Sequence, residues 1–212
     1  MSKAPRIDPI RNLMTRRRAQ PEAAYSAEEV DELLNYYKQL QEKVARQDEQ
    51  IESLQKSSRA DPVTGLANRV TLQEEVERSL ATAKRYGRSH ALLKLMVNDF
   101  EGYNAMGAET AVAVLTHISR VIRQGIRSTD IAARSHGAEF YVILNELRAL
   151  DNAQMRAQEI AKAVASTPCI TPGHTLYVGV TVGACLFSMD DTAESVFANA
   201  NAAMEAAQTA LA

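Results

Sequence analysis

Ile131-Ala132-Ala133-Arg134-Ser135-His136-Gly137-Ala138-Glu139-Phe140-Tyr141-Val142-Ile143-Leu144 is the stretch that decides the fold. Two apolar runs, 131–134 and 140–144, flank the turn residues Ser135, His136 and Gly137, so the stretch reads as a β-hairpin. Just upstream, Thr110 to Gln124 carries Val114, Leu115, Ile118, Val121 and Ile122 at helical spacing. Ala91 to Val97 reads as a short buried strand. Before it, Val70, Val76, Leu80 and Ala83 share a helical stripe that Gly87 stops. Downstream come a helix over 152–167, a strand over 177–187 with Gly179 and Gly183 inside it, and a last helix over 192–210. Strands and helices alternate, but with a hairpin in the middle. This predicts an α/β sandwich (α+β), a mixed, partly antiparallel sheet flanked by helices, rather than a doubly wound parallel sheet.

That globular unit spans residues 61–212. Residues 26–58 read as a single helix opened by a Ser26/Glu29 capping box. Val30, Tyr37, Val44 and Ile51 fall on heptad position a; Leu33, Leu40, Gln47 and Leu54 fall on d. Branched residues at a with leucine at d favour a parallel two-stranded coil, so a homodimer through residues 30–54 is expected. The alternative is a single amphipathic helix lying on its own domain. Residues 1–25 form a basic tail: Lys3, Arg6, Arg11, Arg16, Arg17 and Arg18 stand against Asp8 and Glu22. With Pro5, Pro9 and Pro21 breaking it up, it reads as a solvated, disordered arm, or as a weak contact for an acidic protein or anionic lipid.

Composition excludes several classes. The chain has 212 residues, 46% hydrophobic and 24% charged, with net charge −2. That is globular, with no broad basic field for nucleic acid. No stretch approaches the ~18 apolar residues of a membrane span, and no export signal opens the chain, so a cytoplasmic location is expected. Cys169 and Cys185 read as small core residues. The P-loop and nucleophile-elbow patterns are absent, and His90, His117, His136 and His174 lack metal-ligand spacing.

The turn-forming stretch Asp61-Pro62-Val63-Thr64-Gly65-Leu66-Ala67-Asn68-Arg69 resembles the D-x-L-T-G-L-x-N-R opening of the GGDEF family, the diguanylate cyclases. Arg134-Ser135-His136-Gly137-Ala138-Glu139-Phe140 is similar to the family's R-x-G-G-D-E-F hairpin. Phe100 and Asn104 match its F-K-x-x-N-D segment, and Val180 to Gly183 its late strand. The resemblance covers 61–212, and a coiled-coil lead-in is also typical of the family. It implies a nucleotidyl-cyclase-like fold. It also implies an ancestral reaction that condenses two GTP molecules into cyclic di-GMP around divalent cations held by carboxylates.

Departures from the pattern fall on the chemistry. The family's metal-binding Asp of the first strand is Met96 here, the second Asp is Asn98, and the central acid of GGDEF is Ala138. The first glycine of that motif is His136. Asn104 keeps the guanine-reading Asn, but its partner Asp falls on Val112. The phosphate-binding Lys after Phe100 becomes Glu101, and the basic pair of the last helix falls on Gln208 and Ala212. Met96, Asn98, Asn104, His136, Gly137, Ala138, Glu139 and Phe140 therefore mark a vestigial active site, with no catalytic residue, no metal and no cofactor expected.

One ligand motif survives. Arg127-Ser128-Thr129-Asp130 matches, in sequence and in offset from His136, the family's R-x-x-D inhibitory site, where cyclic di-GMP binds. Arg127 can grip phosphate or a guanine edge with its planar fork, and Asp130 can accept from guanine N–H groups. The family's extra arginine falls near Glu159, with Arg156 one turn away as its substitute. The resemblance thus implies a catalytically inactive, dimeric cyclic di-GMP effector acting on an unknown protein partner. Two other readings stand beside it. One is a nucleotide-independent adaptor that uses only the fold and the coiled coil. The other is a weak diguanylate cyclase exploiting Asn104 and Asp99.

Overall fold

A computed structural model describes residues 26–57, 59–147, 149–171 and 173–210. These fall into two units divided after Ser57. The first is the helix α1 (Ala27–Ser57). It opens with the expected capping box: the Ser26 N–H donates to Glu29 Oε2 at 3.0 Å and the Glu29 N–H to Ser26 Oγ at 3.2 Å. Along the seam, Val30, Tyr37, Leu40 and Val44 are exposed in the single chain. The side chains of Ile51 and Leu54, and the whole of the basic tail, lie outside the described residues.

The second unit runs α2 (Arg69–Tyr86), β1 (Ser89–Val97), α3 (Phe100–Ala105), α4 (Ala108–Gly125), β2 (Ile131–Arg134), β3 (Glu139–Leu147), α5 (Leu150–Ser166), β4 (Cys169–Thr171), β5 (His174–Leu176), β6 (Val180–Leu186) and α6 (Ala193–Thr209). The main sheet has the order β2-β3-β1-β6. The β2–β3 hairpin falls where the sequence places it. The expectation of a mixed sheet needs correction, because every strand pair in the sheet is antiparallel. The reason lies in the connections. The crossover from β1 through α4 returns β2 parallel to β1, but β3 sits between them. The crossover from β3 through α5 likewise leaves β1 between β3 and β6. Helical crossovers therefore join strands that are parallel but not adjacent. The single parallel pairing among the described residues is an isolated bridge, Ala67 to Ala133, at the β2 edge.

Alternation along the strands sends side chains to two cores. Leu93, Leu95, Phe140 and Val142 pack with Val114, Ile118 and Ile122 of α4 and Ile160 of α5. Leu92, Tyr141 and Ile143 pack with Leu72 and Val76 of α2 and Val196 and Ala200 of α6. Each fully buried leucine or isoleucine here contributes about 1.5–3 kcal/mol of transfer free energy. Both cysteines are buried, and burial pushes the Cys185 thiol up to about 11.

Helix α2 starts on an Asn68 cap, whose Oδ1 accepts from the Thr71 N–H at 2.9 Å, and stops at Gly87 in the left-handed region. Its buried stripe is Leu72, Val76, Leu80 and Ala83; Val70 is exposed, because six residues before Val76 is a third of a turn off that face. The late strand is shorter than expected. Residues 177–179 precede β6, and the Gly179 carbonyl accepts instead from the Asn98 N–H at 3.0 Å. Gly183 lies inside β6, where a Cβ would collide with the backbone of Ala203 and Met204. Its hydrogen side chain lets α6 settle on the sheet.

Candidate functional site

Arg134 joins the turn to the hairpin. Its Nη1 donates to Asp61 Oδ1 and Oδ2 at 3.2 and 3.1 Å, while its Nε and Nη2 donate to the Gly137 carbonyl at 3.1 and 2.7 Å. Gly137 has φ 50°, a value that suits glycine at the hairpin tip. Asp61 also accepts from the Thr64 N–H at 2.8 Å and its hydroxyl at 2.6 Å. Burial alone would raise the Asp61 pKa; the Thr64 hydrogen bonds and the Arg134 charge outweigh it and hold the carboxyl below its ordinary value.

Strand register gathers the vestigial positions at one end of the sheet. Met96 sits opposite Glu139 of β3 and Thr181 of β6. The Val97 N–H donates to the Ala138 carbonyl at 3.2 Å, so Ala138 lies one step from Met96. Asn98 accepts from the Thr181 hydroxyl at 2.8 Å. Asn104 is exposed on α3, Phe140 is fully buried in the core, and His136 is exposed 3.5 Å from Glu139. Asp99 has φ 51°, with its carboxylate lying over Gly102, whose missing Cβ makes room for it. Among the described residues, no three His, Cys, Asp or Glu side chains converge to hold a metal ion.

Arg127, Asp130 and Arg156 line one cavity of about 520 Å³ between the end of β3 and α5. Asp130 Oδ2 accepts from the Arg127 N–H and Oδ1 from the Asn145 N–H, both at 3.0 Å, which clamps the 127–130 turn to β3. Arg156 pairs with Glu159 at 2.6 Å. The Arg127 guanidinium is exposed and has no hydrogen-bond or ion-pair partner among the described residues.

Sequence reasoning missed Lys94. Its side chain is buried in β1, 3.1 Å from Glu139 Oε1, and donates to Asn201 Oδ1 of α6 at 2.8 Å. It also lies 5.8 Å from the Tyr141 ring centre. Tyr141 donates to Glu139 Oε2 at 3.4 Å, and burial, then the Glu139 charge, pushes the phenol pKa up. The available signal was a lysine at the centre of an otherwise apolar run, Ala91 to Val97.

Residues 58–211 match the family described as "Diguanylate cyclase, GGDEF domain". Diguanylate cyclase DgcP of Pseudomonas aeruginosa is 29% identical over 161 residues, covering 76% of this chain and 24% of that protein. The bifunctional diguanylate cyclase/cyclic di-GMP phosphodiesterase MucR of the same species is 31% identical over 146 residues, covering 68% of this chain and 21% of that protein. The chain thus spans about a quarter or less of the length of these relatives. Among solved structures, diguanylate cyclase SiaD in complex with its activator SiaC, from P. aeruginosa, superposes with a TM-score of 0.69 at 25% identity, over 95% of this chain and 78% of that one. The coiled coil and GGDEF domain of DgcB from Caulobacter crescentus, in complex with c-di-GMP, superposes with a TM-score of 0.68 at 26% identity, over 84% and 95%.

Proposed function

The chain belongs to the GGDEF family, and from that premise we propose that this signalling protein is a cyclic di-GMP receptor without cyclase activity, dimeric through α1. The observation that carries the reading is the 520 Å³ cavity that gathers Arg127, Asp130 and Arg156. The uncommitted guanidinium of Arg127 offers a planar fork for a phosphate or for the O6/N7 edge of guanine. Each Asp130 oxygen is used once by the protein, and a carboxylate has about four acceptor directions, so acceptors remain for guanine N–H groups. Arg156 reaches a ligand by leaving Glu159, an exchange of one exposed partner for another. The c-di-GMP complex of DgcB supports the choice of ligand.

Loss of the reaction follows from the strand end. A magnesium ion requires hard oxygen ligands in near-ideal geometry. Met96 offers a thioether, Ala138 a methyl group, and the Asp99 carboxylate lies over Gly102. The residues present do not fit the cation.

Isothermal titration of the full chain with cyclic di-GMP tests the proposal. Saturable binding is expected, weakened at least tenfold in Arg127→Ala. No binding, or equal binding in the variant, overturns it. The exposed apolar seam of α1 favours a second reading in which the fold and coil alone recruit a partner. That reading predicts a partner interaction indifferent to cyclic di-GMP.

A further inference from the structure

Beside the Lys94–Glu139 pair, on the sheet face covered by α2 and α6, lies a second cavity of about 580 Å³. That volume suits a small ligand. Its lining is unusual in which polar groups are satisfied. A lysine ammonium has three protons to donate. Glu139 and Asn201 accept two of them, and no acceptor among the described residues takes the third. Arg69, the first residue of α2, also lines the cavity, and its guanidinium has no hydrogen-bond or ion-pair partner among the described residues. The carboxylates differ. Glu139 is engaged on both oxygens by Lys94, Tyr141 and His136, and Glu194 is exposed on the first turn of α6. The cavity thus holds two uncommitted donors, the Arg69 guanidinium and the third Lys94 proton, while the formal charges of Arg69 and Lys94 balance those of Glu139 and Glu194.

The walls add a shape. Tyr141 and Phe197 meet edge to face, with ring centres 5.8 Å apart and planes at 85°. Two rings at a right angle form a corner that accepts a flat guest against one ring face and the edge of the other. A buried lysine is costly to keep in a core and is stabilised here by Glu139, Asn201 and the Tyr141 ring. Placed at a cavity wall, its remaining proton has a use that a leucine at this position could not supply.

We propose that this cavity is a second ligand site, separate from the Arg127 cavity, for a small planar ring bearing a phosphate or a carboxylate, held by Arg69 and Lys94 without a divalent cation. Titrations of the full chain in EDTA with phenyl phosphate and with 4-hydroxybenzoate, neither of which carries the guanine that the Arg127 cavity reads, test it, the first probe carrying a phosphate and the second a carboxylate. At least one probe is expected to bind, and which one identifies the oxyanion. Binding should weaken at least tenfold in Arg69→Ala and Lys94→Met, and stay unchanged in Arg127→Ala and when Mg²⁺ replaces EDTA. Arg69 is exposed and the Asn68 cap remains, so Arg69→Ala keeps the fold and decides the matter even where Lys94→Met fails to fold. Absence of binding for both probes, undiminished binding in Arg69→Ala, or loss of binding in Arg127→Ala overturns the proposal. Because Arg127→Ala removes the cyclic di-GMP site alone, failure here is distinct from failure there.

Discussion

Arg134 sits between two motifs 73 positions apart and bonds both, with side chains of Arg134 and Asp61 only 12% and 14% exposed. Truncating it leaves the Asp61 carboxylate buried without its counter-charge, a change that costs about 3 kcal/mol. Urea unfolding of Arg134→Ala should show that loss, and the double variant with Asp61→Asn should recover part of it. A pH dependence accompanies it. The Asp61 pKa is depressed on folding, so its contribution is complete above the ordinary value of 3.8 and is lost as pH falls through the lower folded value. The difference in stability between wild type and Asp61→Asn should therefore shrink in acid below that value and stay constant from pH 5 upward, as read by thermal unfolding across pH. The sequence shows both residues but nothing that joins them, because the ion pair exists only once the turn closes on the hairpin. Lys94 was hidden for the same reason: its partner Asn201 is 107 positions away, and the apolar residues on either side fix only the strand.

At the scale of elements, local signals read well wherever a cap or a long period declared them. The Ser26/Glu29 box, the Gly87 stop, the apolar face of α4 and the hairpin at 131–144 all follow from a few neighbouring residues. The β4–β5 hairpin and α3 were missed because three-residue strands and a six-residue helix are too short to show a period. Gly183 was visible but its purpose was not, since the atoms it makes room for belong to α6. Substituting alanine there forces α6 off the sheet, and Gly183→Ala should lower stability by about 3 kcal/mol in chemical denaturation. For α1, exposed Val30, Tyr37, Leu40 and Val44 on one seam make an unpaired helix costly. Sedimentation should show a dimer for wild type and a monomer for Leu40→Asp, with the circular dichroism of the globular unit retained.

For the whole molecule, the order of turn, strand and hairpin motifs was enough to place the fold, because each motif fills a fixed topological position. What the sequence could not supply was which of those positions share a face. Folding brings Met96, Glu139 and Ala138 to one strand end, and Arg127, Asp130 and Arg156 to one cavity. The first set offers one carboxylate, Glu139, already paired with Lys94; the second offers an unpaired guanidinium and open carboxylate acceptors, which the proposed function assigns to cyclic di-GMP. The proposed function is therefore that of a cyclase scaffold that binds the family's product rather than making it. Incubating the purified chain with GTP and Mg²⁺ and assaying cyclic di-GMP by chromatography tests this most directly. The prediction is that GTP is recovered intact; cyclic di-GMP formed at a rate proportional to protein concentration would contradict it.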